Sequence, residues 1–186
     1  MNRFTIIEMP LLGLKRIERQ NLLDSRGFLS RIFCAEELAA AGWQHPVAQI
    51  NQTFTSLSGT VRGMHYQTAP HAEMKLVTCL SGAVWDVAVD VRAGSPTFLQ
   101  WQSAILSADN CHALLIPEGF AHGFQTLTDD VTLLYCHSWP HVPEAQAALH
   151  AADPRLAIPW PQAITAMSHR DAHHPLIAST FEGVTL

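Results

Sequence analysis

The chain is poor in lysine: Lys15 and Lys75 are its two lysines, and nowhere do Lys and Arg gather into a run. With 11 basic residues against 16 acidic ones, it lacks the basic surface that holds nucleic acid or an anionic membrane, and neither is expected as a partner. It has no uninterrupted apolar stretch near the roughly 18 residues of a membrane-spanning helix, and no charged segment followed by an apolar one opens it. The four cysteines, Cys34, Cys79, Cys111 and Cys136, have no CxxC spacing and lie in separate hydrophobic segments. Reduced, buried thiols are the simplest reading, and with them a cytoplasmic location.

What the chain does have is apolar material: 48% of its 186 residues are hydrophobic, enough for one substantial core and too short a chain for two domains. We expect a single domain over residues 1–186. Strand signals run from about residue 47 to 139. In Ala83–Val91, Trp85, Val87, Val89 and Val91 share one face, and Val84, Asp86, Ala88 and Asp90 share the other. Turn residues punctuate these runs at Ser58-Gly59, Ser81-Gly82, Gly94-Ser95-Pro96, Pro117-Glu118-Gly119 and Thr128-Asp129-Asp130. Short strands at regular spacing predict an antiparallel sandwich or barrel. Helix is brief: Ala35–Ala41 closes at Gly42, and a turn or two is expected over Pro143–Leu149. The segment from about 155 to 186, rich in proline, reads as a tail wrapped over the barrel.

Two stretches set histidines into strand-like sequence, Arg62-Gly63-Met64-His65-Tyr66-Gln67 and Ile116–Phe124 with His122. They read as two walls of one pocket. Arg62 and His65, three apart, would face opposite sides of a regular strand; a bulge at Gly63 would turn both inward. Alone, His65 is an ordinary core or surface histidine, and Lys75 in Met74-Lys75-Leu76-Val77 an edge charge. Together with His122, Arg62, and Gln49 and Asn51 on one strand face, they make a set of polar groups converging inside an apolar barrel. A fixed histidine near fixed positive charge suits removal of a proton beside a carbonyl.

The pattern Pro117, Gly119, His122 resembles the second half of the metal-binding cupin signature. The first half calls for two histidines one residue apart with a glutamate soon after, and here stand His65-Tyr66-Gln67, with His71 and Glu73 the substitutes only after a loop rearrangement. No metal is expected.

On these segments, with Asp24–Phe28, Gln49–Asn51, Gly59–Gln67, Lys75–Val77, Asp86–Arg92, Ser95–Thr97, Asp153-Pro154, Ile158–Pro161 and Met167–Asp171, the chain resembles the dTDP-4-dehydrorhamnose 3,5-epimerase family, metal-free cupins acting on nucleotide-linked 4-keto-6-deoxy sugars. The resemblance implies an all-β, cupin-type antiparallel barrel (jelly roll) with short peripheral helices, no cofactor, a nucleotide diphosphate sugar as substrate, and a homodimer in which each N-terminal strand joins the other subunit's sheet. It implies a role in deoxysugar and polysaccharide precursor synthesis. It implies that His65 is the base, Asp171 the carboxylate that orients it, and Lys75 the cation for the enolate oxygen. Gln49, Asn51, Arg62, His122 and Tyr135 would line the sugar pocket, and Arg26 and Phe28 of the dimer partner would hold the nucleotide, although Arg26-Gly27-Phe28 by itself reads as a turn entering a strand.

The resemblance breaks in two places: His150-Ala151-Ala152 stands before Asp153-Pro154 where an aromatic residue and an acidic or polar one are usual, and the other break falls on the acid. Family members carry a tyrosine before x-Pro after the strand containing Tyr135, as the acid that reprotonates the opposite sugar face. Here His141-Val142-Pro143 stands instead, so an imidazolium takes the acid's place. Which of C3 and C5 is inverted stays open on that account. A keto-sugar isomerase moving the carbonyl through the same enolate, and a sugar-nucleotide binder without turnover, are the competing readings. The choice between thymidine and cytidine is not legible.

Overall fold

A computed structural model describes residues 2–186. In chain order its elements are β1 (Phe4–Glu8), β2 (Lys15–Arg19), β3 (Asn21–Asp24), β4 (Gly27–Ser30), α1 (Ala35–Ala39), β5 (Gln49–Thr55), β6 (Val61–Gln67), β7 (Lys75–Ser81), β8 (Ala83–Asp90), β9 (Trp101–Ser107), β10 (His112–Ile116), β11 (Phe120–Thr126), β12 (Val131–His137), a 3₁₀ turn (Pro143–Ala145), β13 (Gln146–Ala148) and α2 (His169–Ala172). Among the described residues the strands form a six-stranded sheet in the order β1-β2-β10-β7-β12-β5, a five-stranded sheet in the order β13-β6-β11-β8-β9, and the β3-β4 hairpin.

The apolar pattern explains the layering. Val77 and Cys79 of β7, Leu114 and Ile116 of β10, and Leu133 of β12 meet Val84 and Ala88 of β8, Leu106 of β9, and Phe120 and Phe124 of β11 between the two large sheets. The alternate residues Leu76, Leu115 and Cys136 face outward and are covered by Phe4, Leu38 of α1 and Trp43. On the other outer face, Val87, Val89 and Val91 are covered by Leu149, Leu156, Ile158 and Trp160. Strands buried on both faces are apolar at odd and even positions alike, so the period of two survives only where a polar group is needed inside. The tail from residue 155 onward therefore closes one face, and it is pinned by bridges of Thr60 to Ala166 and Arg92 to Val184.

Two local expectations have clear outcomes. Helix α1 ends early, at Ala39, and Gly42 takes a φ of +99°, the left-handed backbone that closes the turn. The segment after the 3₁₀ turn is strand rather than helix: Gln146–Ala148 pairs with Gln67–His65 of β6. An open sheet edge there offers backbone partners, which outweighs the helix propensity of Ala147 and Ala148. Strand β1 pairs with β2 of its own chain, Ile6 opposite Ile17, and stands at the edge of the six-stranded sheet. No helix is long and apolar enough to cross a membrane among the described residues.

Candidate active site

At one end of the sandwich the apolar interior gives way to polar side chains around a cavity of about 240 Å³. The five-stranded sheet supplies Arg62, His65, His122, Phe124 and Gln146; the six-stranded sheet and its loops supply Asn51, Thr53, Glu73, Lys75, Tyr135, His137 and His141.

Arg62 and His65 both reach this cavity because β6 carries one extra residue. His122 of β11 lies opposite His65 and Phe124 opposite Arg62, so three steps on β6 match two on β11. Gly63 makes this bulge fit. Its φ is +135°, and a Cβ there would lie 2.4 Å from the Gly123 Cα, a distance no side chain tolerates. The same register corrects the expected placement of the two histidines. His65 and His122 are direct neighbours on one wall, and the opposite wall comes from β5, β7 and β12.

His65 Nε2 lies 2.7 Å from Asp171 Oδ1. Asp171 belongs to α2, whose N-cap Ser168 accepts the Asp171 backbone N–H at 3.0 Å. Burial acts to raise the Asp171 carboxyl, but the hydrogen bond and charge of His65, with the Ser168 and backbone donors, outweigh it and hold the group below the ordinary carboxylate range. A carboxylate on Nε2 keeps the ring proton there, so the neutral imidazole offers Nδ1 as its basic atom.

Lys75 faces inward in step with Val77 and Cys79. Its Nζ donates to the His65 carbonyl oxygen at 3.3 Å and lies 3.2 Å from Glu73 Oε1. Two of its three N–H directions are thus used, and the third is available to the cavity. Glu73 also accepts from His137 Nδ1 at 2.7 Å. His122 is tied down from behind: its Nε2 lies 3.0 and 2.9 Å from the two Asp86 oxygens. Burial raises the Asp86 carboxyl despite that partner. Tyr135 stacks on the His137 ring and meets the His122 ring edge-on, with centroids 6.0 Å from each. Burial pushes its phenol well above the ordinary range, which suits it to lining rather than to proton delivery.

At the rim, Arg62 Nη2 donates to the Phe54 carbonyl at 3.1 Å. Gln49 donates to Asn51 at 3.0 Å and accepts the His141 backbone N–H at 3.0 Å. Gln49 thus supports the site from one residue back. Arg26 and Phe28 are not brought to this cavity. They lie on the exposed β3-β4 hairpin, where Arg26 pairs with Asp24 at 2.6 Å.

A sequence profile of the dTDP-4-dehydrorhamnose 3,5-epimerase family matches residues 8–179. The chain belongs to that family. It is 40% identical over 168 residues to the dTDP-4-dehydrorhamnose 3,5-epimerase of Sinorhizobium fredii, covering 90% of this chain and 86% of that one. It is 38% identical over 158 residues to the dTDP-4-dehydro-6-deoxyglucose 3-epimerase of Streptomyces bikiniensis, covering 84% and 80%. The crystal structure of dTDP-4-dehydrorhamnose 3,5-epimerase from Bacillus anthracis, with TDP and PPi bound, superposes with a TM-score of 0.90 at 37% identity, covering 94% of this chain and 99% of that chain. The all-β, cupin-type fold expected from the sequence is therefore the fold of this epimerase family.

The sequence pattern did not mark Glu73, except as a metal ligand, nor His137 and Asp86, as parts of the site. A signal existed for each: Glu73 and His137 lie two positions from Lys75 and Tyr135, both expected in the pocket, and Asp86 lies on the strand face of Ala88.

Proposed function

We propose that the chain is a carbohydrate epimerase that inverts C5, C3 or both of a nucleotide diphosphate-linked 4-keto-6-deoxyhexose. The observation that carries this reading is the His65–Asp171 pair opening onto a cavity in which Lys75 offers a free N–H. A 4-keto group acidifies the hydrogens on C3 and C5. His65 takes one of them, and Asp171 holds the ring and stabilises the imidazolium so formed. The electrons move onto the C4 oxygen, where Lys75 meets the developing negative charge. His141, which lines the same cavity from the connection between β12 and β13, returns a proton to the other face of the carbon. His122, Arg62, Asn51 and Tyr135 hold the sugar, with Gln49 behind them.

The nucleotide needs a second copy of the chain. Leu22, Leu23, Phe28 and Leu29 leave the β3-β4 hairpin with an apolar surface open to solvent, Leu23 at 79% and Leu29 at 69% exposure. Large exposed patches of this kind mark association surfaces. In a homodimer this hairpin would bring Arg26 and Phe28 to the partner's cavity. The free cysteines favour a reducing cytoplasmic setting.

The test is incubation with dTDP- and CDP-linked 4-keto-6-deoxyglucose in deuterated water, followed by NMR. Deuterium entering at C3 or C5 with inverted product is the expected result; no exchange with either nucleotide would overturn the assignment. A carbonyl moved from C4 to C3 would instead identify an isomerase.

A further inference from the structure

Glu73, just before β7, has a side chain only 8% exposed and is shared by two groups: Lys75 Nζ at 3.2 Å from one oxygen and His137 Nδ1 at 2.7 Å from the other. A buried carboxylate is tolerated only when paired. A simple Lys75–Glu73 pair, however, has no net charge to offer an enolate oxygen. We propose that His137 carries a proton while Glu73 is ionised, so that the Lys75–Glu73–His137 group presents a net positive charge to the cavity and leaves Lys75 effective as the oxyanion partner. His137 is thereby a positioning residue that acts through Glu73. This inference rests on the epimerase reading above, for which the enolate is the species to be stabilised.

The surroundings of His137 are compatible with that charge. Its own sheet contributes the uncharged Asn51 and the neutral, raised Tyr135. Across the cavity, β6 brings His65 with Asp171 behind it and Arg62 at the rim, and β11 brings His122 with Asp86 behind it; His141 completes the titratable groups after β12. His65 and His122 thus each have a buried carboxylate of their own, as His137 does. The His137 Nε2 faces the Asn51 amide at 3.4 Å. An imidazolium Nε2–H is a donor, so the proposal requires Asn51 to present its oxygen to the ring in place of the Nδ2 that faces it here, with Gln49 giving up that oxygen.

Two measurements test the proposal. Ring ¹⁵N NMR of His137, assigned by its loss in H137Q, should show a doubly protonated imidazole at pH 7 in the wild type and a neutral one in E73Q. A neutral ring in the wild type would overturn the proposal, whether or not the protein turns over a sugar. Second, H137Q should slow deuterium exchange about tenfold at saturating sugar with little change in KM, and E73Q/H137Q should recover most of that loss, because removing Glu73's charge frees Lys75 again. Losses that add in the double variant would refute it, with melting curves confirming that all three variants fold. If the wild type itself exchanges no deuterium, the epimerase reading fails instead, and the NMR result still stands on its own.

Discussion

His65 and His122 are direct cross-strand partners, and each backs onto its own buried carboxylate: Asp171 at 2.7 Å for the first, Asp86 at 2.9 Å for the second. The two pairs differ in access. The His65 side chain is 27% exposed and that of His122 6%. The more open ring is placed to exchange protons with a ligand, and the closed one to present a fixed hydrogen-bonding surface.

Replacing His65 with Asn should lower deuterium exchange at C3 and C5 by about 10³-fold, within the span general-base removal produces. D171N should leave a weaker but measurable exchange, because the ring remains while its orientation and countercharge are lost. Equal residual rates in the two variants would show that Asp171 is more than an orienting group.

His141→Phe should separate the two halves of the reaction. Exchange initiated by His65 continues, while net inversion measured by product NMR slows about 10²-fold. If inversion and exchange fall together, His141 has no part specific to the return of the proton.

Gly63→Ala tests the bulge. The new Cβ meets Gly123 Cα at 2.4 Å, backbone against backbone, and the residue is held at positive φ, so about 3 kcal/mol of stability should be lost. Gly123→Ala meets the flexible Met64 Sδ at 2.5 Å but also the Arg62 carbonyl at 2.8 Å. Thermal or urea unfolding checks both, and an unchanged melting temperature for G63A would contradict the packing described.

Asp90 is one source of acid sensitivity. Its oxygens accept from Arg92, Ser95 and Thr97 at 2.6 to 3.0 Å. Burial works against its ionised form, but those donors prevail and bring the carboxyl from 3.8 to about 2. A depressed carboxylate stabilises the fold above its unfolded value and loses that contribution as pH falls through its folded one. The wild type should therefore shed about 2 kcal/mol between roughly pH 4 and pH 2 beyond any loss shown by D90N, read from urea midpoints across that range.

Phe28→Asp should turn a dimer into a monomer in analytical ultracentrifugation without lowering the melting temperature of the barrel, because Phe28 is 67% exposed on its hairpin. A chain that sediments as a monomer from the outset would remove the partner hairpin from the substrate site.

Much of this architecture could be read from the residues because it rests on local rules. The alternation in Ala83–Val91 placed Val87 and Val89 on one face and Asp86 and Ala88 on the other, and the structure keeps that division. The oddity of Arg62 and His65 three apart pointed to a bulge at Gly63. Relations that depend on strand order were not legible. Glu73 and His137 are 64 residues apart, and nothing local says that β7 and β12 are neighbours. The same gap placed His65 and His122 on facing walls rather than side by side. Gln146–Ala148 misled for a related reason: its helical composition yields to an edge of β6 that the sequence does not reveal.

The carboxylate behind His65 comes from 106 residues further along the chain, in a short turn of the tail that also seals the outer face of β6 and β8. Most of the sandwich is therefore synthesised before its orienting carboxylate exists. On the epimerase reading, a chain that stops short of Asp171 would hold the base and the cavity strands without the group that orients the ring, and the slow exchange expected of D171N would be the most it could reach.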